Sequence, residues 1–263
     1  MHILDQIIAF KTKEVAQRKL LKSVDLLQKE EGFQQVKRSI SAHILKQEIA
    51  IIAEFKRKSP SKQNINLHAD PKQVALGYEN AGVSGISVLT DYHFFGGSFQ
   101  DLQAVKASVN IPILQKDFII DVYQIFEAKA AGADFILLIA AILTQNQIHE
   151  FAKLAQDLDL EVLVEIHAEN ELQKAISKYV NLIGVNNRNL KTFEVDLEQS
   201  MQLVNQIPKD FIRVSESGIS STTAVQKLKN AGFQAFLMGE NFMKTQEPGK
   251  TCKAFINQIN TQK

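Results

Sequence analysis

The sequence predicts an α/β fold, a closed (β/α)8 TIM barrel preceded by a helical N-terminal extension. Three observations predict it. From Ile49 onward, short β-branched apolar runs alternate with longer stretches of helical period, and eight such units follow one another at comparable spacing. Repeated βα units call for a parallel sheet, and eight of them for closure. The runs also end in charge, because Glu54, Lys56, Lys116, Glu165 and Glu216 each fall at or just past the tip of one. A charge buried without a partner costs stability, yet in a closed parallel barrel all strand C-termini share one face, where such groups can meet. Finally, Asn80-Ala81-Gly82, Ala131-Gly132-Ala133 and Asn230-Ala231-Gly232 each place glycine after a helix and just before a strand, the position at which helices commonly end.

Taken in order, the apolar residues Leu4, Ile7, Ile8, Val15, Leu20, Val24 and Leu27 recur at helical spacing. Two or three amphipathic helices are therefore expected up to about Lys46. Strands are expected at 49–53, 85–89, 112–115, 135–138, 161–165, 182–185, 211–214 and 235–238. The helices between them should begin near Pro71, Phe99, Val122, Gln145, Ala168, Leu197, Ser221 and Pro248. Asp70-Pro71 pairs an N-cap side chain with proline at the first helical position. No linker or low-complexity segment interrupts the pattern. The expected organisation is one barrel domain over 1–263, with 1–47 as its helical extension.

The totals exclude several classes of function. A chain of 263 residues, 45% of them hydrophobic, suits one large barrel core. The net charge is +1 and no Lys/Arg run is long enough for a nucleic-acid tract. The apolar stretch from Phe135 to Leu143 is too short to span a bilayer, and the start of the chain is unlike a signal peptide. Cys252 stands alone, so a reducing, cytoplasmic setting is expected. The six histidines show no HExxH and no paired ligand spacing, so no metal is expected. Gly249-Lys250-Thr251 resembles the end of a P-loop, but position 244 is lysine where glycine is required. No GxGxxG follows a strand, which disfavours a nicotinamide fold.

The candidate chemistry sits at the strand ends. Glu54 and Lys56 are two apart and project to one side of an extended chain, an acid and a base suited to proton transfer or anion binding. The plainer alternative is a surface ion pair. Lys116 suits a proton donor, an anion clamp or a Schiff-base nucleophile; otherwise it is a rim lysine with a wet ammonium. Glu165 ends the run Glu161-Val-Leu-Val-Glu, and its alternative is a carboxylate satisfied by a neighbouring lysine. Asn186-Asn187-Arg188 offers fixed donors for carboxylates and hydroxyls, or is only an Asn-rich turn. Gly218, in Ser215-Glu216-Ser217-Gly218-Ile219, and Gly239, in Met238-Gly239-Glu240-Asn241, follow the seventh and eighth strands. Backbone N–H groups of those two loops form the phosphate site recurrent in such barrels, where glycine allows close approach.

These motifs resemble the indole-3-glycerol-phosphate synthase family over essentially the whole chain. The likeness rests on Ile52-Ala-Glu-Phe-Lys with Ser59-Pro60-Ser61, Leu89-Thr90-Asp91 with Phe95 and Gly97-Ser98, and Lys116-Asp117-Phe118. Asn186-Asn187-Arg188 and Ser215-Glu216-Ser217-Gly218-Ile219 complete it in order. The resemblance implies a carboxy-lyase of tryptophan biosynthesis that acts on a phosphorylated small molecule without cofactor or metal. It implies Lys116 as general acid, Glu165 as its carboxylate counterpart, and Lys56 as holder of the carboxylate and phosphate regions. Glu54, Asn186, Glu216 and Ser217 would orient substrate and charges, with Ser59 beside them. Phe95, Phe118, Leu137, Arg188 and Leu190 would wall the aromatic ring, while Gly218, Gly239 and Glu240 (through backbone N–H) would receive phosphate. The chain departs from the family pattern at Lys58, Gln63-Asn64 and Asn241. Alternatives are another phosphate-handling barrel, such as phosphoribosylanthranilate isomerase or a lysine-dependent aldolase, and a non-catalytic ligand-binding barrel. A monomer is expected rather than an obligate oligomer.

Overall fold

The computed structural model describes residues 3–189 and 194–261. Eight parallel strands close into a barrel in sequence order, β1 pairing with β8. They are β1 (Ala50–Phe55), β2 (Gly85–Leu89), β3 (Ile113–Lys116), β4 (Phe135–Ile139), β5 (Glu161–Ile166), β6 (Leu182–Asn186), β7 (Ile212–Glu216) and β8 (Ala235–Met238). All eight expected strands are present, but most run past the expected end, so that Glu54, Lys116 and Glu216, like Glu165, lie within strands. The sequence reading stopped just short of Glu54, Lys116 and Glu216, whereas the ladder continues through that level, since Leu89 still pairs with Lys116 and Asn186 with Glu216.

The extension forms α1 (Ile3–Leu21), α2 (Val24–Leu27) and α3 (Ile40–Leu45), with a short 3-10 turn between the last two. Ser23 and Ser39 cap α2 and α3, each accepting a backbone N–H at its helix start. The helices that follow are α4 (Pro71–Ala81), α5 (Tyr92–Phe95), α6 (Phe99–Lys106), α7 (Tyr123–Ala130) and α8 (Gln145–Asp157), then α9 (Glu169–Ala175) and α10 (Leu197–Leu203). The last are α11 (Thr222–Ala231), α12 (Glu240–Met243) and α13 (Pro248–Thr261). The four-residue helices α5 and α12 were not expected. Asp70 caps α4 as expected, and Gly82 ends it in the left-handed region at φ 88°. None of the described helices is long and apolar enough to cross a membrane.

Alternation along each strand divides the core in two. Ile51, Ala53 and Phe55 of β1 pack outward against the helices, with Val74, Ala75 and Tyr78 of α4. Ala50 and Ile52 join the inner cluster with Leu114, Phe135, Leu163, Leu182, Val214 and Ala235. Ile40 and Ile44 of α3 belong to that inner cluster, so α3 stoppers the N-terminal end of the barrel. Charges at that end are structural. Glu161 accepts from Ser39 Oγ at 2.6 Å and from Ser41 N at 3.0 Å. Asp134 pairs with Lys106 at 2.6 Å and accepts the N–H groups of Arg38 and Ile113.

Candidate active site

The period of two that fills the barrel interior also places the charges. After Ala50 and Ile52, the next inward position on β1 is Glu54; the same step leads from Leu114 to Lys116, from Leu163 to Glu165 and from Val214 to Glu216. The top layer of the barrel is therefore polar where the layers below are apolar. Four strands distant in sequence bring their charges into one contact group.

Lys116 is its centre. Its Nζ lies 3.1 Å from Glu216 Oε2 and 3.5 Å from Glu165 Oε2. Lys56, just beyond β1, folds back to put Nζ 2.5 Å from Glu54 Oε1, as two-residue spacing predicts. Glu54 is buried, so its pairing with Lys56 is not a surface ion pair, while Glu165, also buried, does have the neighbouring lysine expected of a satisfied strand-end carboxylate. Burial alone would lower the proton affinity of Lys116, but Glu216, Glu165 and Glu54 outweigh it and hold the ammonium above its ordinary range. Burial works against the Glu165 carboxylate too; Lys116, His167 and a hydrogen bond from Asn186 overcome it and keep its pKa below the ordinary value. Glu54 is likewise held low by Lys56 and Lys116 against the effect of burial. Glu216 differs, since burial pushes it up to about 7 and Lys116 offsets this only in part. The layer thus holds two firm carboxylates, a firm ammonium, and one carboxyl poised near neutrality.

Above this layer opens a cavity of about 320 Å³. Glu54, Lys56, Lys116, Glu165 and Asn186 form its floor; Phe95, Phe118 and Leu137 its apolar side; Ser59, Arg188, Ser217, Gly218, Gly239 and Glu240 its rim. The rings of Phe95 and Phe118 lie 5.9 Å apart. Arg188 reaches across the mouth, with Nη1 3.4 Å from Ser61 Oγ and Nη2 3.9 Å from a Glu240 carboxylate oxygen. Nearly every residue singled out from the sequence lies here. Glu216 lies beneath the floor, fully buried, and reaches the cavity only through Lys116. Leu190 falls outside the described residues. Asn187, read with its neighbours as a donor, turns into the scaffold and gives its amide to the carbonyls of Glu216 and Ser217, each at 2.8 Å.

The glycines proved to have further neighbours. A Cβ on Gly239 would stand 2.7 Å from Glu54 Oε1, and one on Gly218 (φ 71°) would stand 2.1 Å from Val195 Cγ1. The space beside both is already filled by protein. Gly184, one step below Asn186 on β6, was not singled out. A Cβ there would meet Glu216 Oε1 at 2.1 Å, so its absence makes the room in which Glu216 turns toward Lys116.

Sequence reading also missed the roof. Ile3, Leu4 and Ile7 of α1 line the cavity, although they precede the barrel. The buried stripe of α1 is Ile7, Lys11, Val15, with a lysine at its centre. Lys11 Nζ lies 2.9 Å from Asp91 Oδ2, 2.9 Å from Asp117 Oδ1 and 2.7 Å from Glu14. Asp117 also accepts from Thr90 Oγ1 at 2.6 Å. One cation therefore ties the extension to the loops after β2 and β3, beside Lys116. The signal was present, because positions 7, 11 and 15 share a helix face, but a lone lysine on a helix is ordinarily a solvent group.

The sequence matches the family model of indole-3-glycerol phosphate synthase over residues 4–255. An indole-3-glycerol phosphate synthase of Bacteroides thetaiotaomicron is 48% identical over 259 residues, covering 98% of both chains. One of Aliarcobacter butzleri is 43% identical over 263 residues, covering 98% of this chain and 100% of its own. Among solved structures, KGPDC from Streptococcus mutans has a TM-score of 0.61 at 14% identity, covering 82% of this chain and 99% of that one. The 3-hexulose-6-phosphate synthase of Salmonella typhimurium has a TM-score of 0.64 at 12% identity, covering 81% and 100%. At such identities these two likenesses are of fold alone.

Proposed function

The chain belongs to the indole-3-glycerol phosphate synthase family, and we propose that its barrel mouth makes indole-3-glycerol phosphate with the residues gathered there. The reaction converts 1-(2-carboxyphenylamino)-1-deoxyribulose 5-phosphate to indole-3-glycerol phosphate, carbon dioxide and water. The observation that carries the assignment of roles is the Lys116 ammonium held between Glu165 and Glu216 on the cavity floor.

Ring closure forms a bond between the carboxylate-bearing ring carbon and the ribulose carbonyl carbon. Negative charge grows on the carbonyl oxygen, and Lys116, held charged in a buried setting, donates a proton to it. The carboxylate then leaves as carbon dioxide, and the electron pair of the broken bond restores the aromatic ring. In the second stage the new hydroxyl departs as water with a proton from Lys56. Glu165 takes a proton from the adjacent carbon as the indole double bond forms. Two protons are given and one is taken, which balances a substrate carboxylate leaving as neutral carbon dioxide. The short gap from Glu165 to Lys116 lets the accepted proton return to the donor. Glu54 holds Lys56, Asn186 and Glu216 hold Glu165 and Lys116, and Phe95, Phe118 and Leu137 receive the aromatic ring, with Leu190 assigned there by resemblance. Ser59, Ser217 and Arg188 supply donors at the rim. The backbone N–H groups of Gly218, Gly239 and Glu240 take the phosphate, anchoring a flexible chain so that its reacting carbons meet.

A Schiff-base aldolase needs a lysine that readily gives up its charge, whereas the carboxylates around Lys116 retain it. The test is incubation with the carboxyphenylamino-deoxyribulose phosphate while following indole absorbance. A folded protein giving no indole signal, or a covalent adduct after borohydride reduction with substrate, would overturn the assignment. Because α1 of the same chain completes the cavity, we take one barrel domain with its extension, acting as a monomer, as the working unit. The lone, buried Cys252 supports a cytoplasmic setting.

A further inference from the structure

His167 is the first residue beyond β5 and was not singled out from the sequence. Its side chain is only 15% exposed and stands between two carboxylates. Nε2 lies 3.4 Å from Glu165 Oε1, on the side away from Lys116, and Nδ1 lies 3.7 Å from Glu171 Oε2. Glu171, in the first turn of α9, also accepts the backbone N–H of His167 at 2.7 Å. One carboxylate therefore fixes both the main chain and the ring, which faces the imidazole toward Glu165.

The two carboxylates around Lys116 are unequal in a way that their distances from it do not explain. Glu216 is nearer, at 3.1 Å against 3.5 Å, and on that ground should hold its charge more firmly. Yet Glu216 Oε1 is buried with no hydrogen-bond partner among the described residues. Glu165 has Lys116 at one oxygen, the imidazole at the other and a side-chain hydrogen bond from Asn186. We infer that His167 is a positioning residue that decides which of the two carboxylates carries the charge, holding Glu165 as the anion and leaving the shared proton to Glu216. This deepens the proposed function and rests on its reading of Glu165 as proton acceptor.

The surroundings agree. Burial disfavours the imidazolium, but Glu171, Glu165 and the more distant Glu216 outweigh it, so the ring keeps its proton above the ordinary histidine range. The charged groups facing it are Glu165 on β5, Glu171 on α9 and Glu216 on β7. Behind them, Lys116 on β3 faces Glu165 and Lys174 on α9 faces Glu171. A pair of carboxyls pushed apart in this way separates an acid from a base within one site. An ion pair serving only to start α9 would need Glu171 alone and would leave Glu165 unaffected.

The test is the pH profile of kcat for the full chain and two variants. In His167→Gln the acid limb should move about one pH unit upward, because Glu165 loses a cation within ~4 Å and is protonated sooner. Below that limb kcat should fall about tenfold, with KM nearly unchanged. Glu171→Gln should move the limb in the same direction by less, and it carries the test if His167→Gln does not fold. An acid limb coincident with wild type in a folded variant would overturn the role of His167. Glu165→Gln separates the two ideas. If it is inactive while His167→Gln keeps the wild-type profile, only the histidine inference fails; if it turns over normally, the reading of Glu165 fails as well.

Discussion

Replacing Lys116 with methionine removes a charge while keeping most of the side chain's volume, and should lower activity and stability in a pH-dependent manner. Lys116 Nζ stands 3.1 Å and 3.5 Å from two buried carboxylates. Each contact is on the order of 5 kcal/mol of attraction at an effective dielectric of ~20, most of it offset by desolvation of the ammonium. Removing one partner from such a buried group costs roughly 3–5 kcal/mol. In a domain of this size that lowers Tm by about 10 °C. The sign with pH follows from protonation. Without Lys116, the folded-state pKa of Glu165 rises above the unfolded value of about 4.3, and that of Glu216, already raised by burial, climbs further. The folded variant then binds more protons than its unfolded chain, so its stability falls as pH rises through that window. The difference in Tm from wild type should be small at pH 5 and full at pH 8. Thermal melts followed by circular dichroism at several pH values measure it, and initial rates should drop roughly 10²–10⁴-fold. A Tm difference that is constant, or larger in acid, would refute the electrostatic account. Wild-type turnover by the folded variant would remove Lys116 from the acid role.

Gly184→Ala should drive a methyl into Glu216 Oε1, 2.1 Å from the added carbon, and lower kcat up to about 100-fold by displacing the carboxylate from Lys116. Unchanged kinetics would show that Glu216 has room elsewhere. Lys11→Met leaves Asp91, Asp117 and Glu14 without their shared cation, so hydrogen exchange across α1 should quicken while β4 to β6 stay protected. Equal protection of α1 in both proteins would assign its docking to Ile7 and Val15 instead. Inorganic phosphate should compete with substrate, and Glu240→Ala should retain that competition because only its backbone N–H is used. Loss of competition in this variant would place the side chain in the anion site.

How far the sequence disclosed this site depended on the kind of signal each residue gives. Lys116, Glu165 and Glu216 were legible because a charge after an apolar run breaks a pattern, and the barrel turns that break into convergence. Strand ends were less legible, since in Ile212-Arg213-Val214-Ser215-Glu216 the inward face continues through the charge while a hydropathy reading stops at it. Gly184 carries no local signal; its meaning depends on Glu216, on the neighbouring strand. Lys11 and His167 were missed for a related reason. Each is ordinary for its local element, and only tertiary contacts with Asp91, Asp117 and Glu165 give it a role. Gly218 and Gly239, in the loops proposed to take phosphate, were legible as glycines, but that Gly239 abuts Glu54 and Gly218 abuts Val195 depends on how the loops fold over one another.

The buried Lys11 cluster also sets an order of assembly. During synthesis the first helix leaves the ribosome long before its partners, since Asp91 and Asp117 lie 80 and 106 residues further along the chain. An ammonium cannot be buried at low cost until its counter-charges are present. While the chain grows, α1 must therefore wait outside, its lysine in water, until the loop after the third strand has been made. Residues synthesised before the barrel are then among the last to dock, and the roof of the candidate active site closes only over a wall already built.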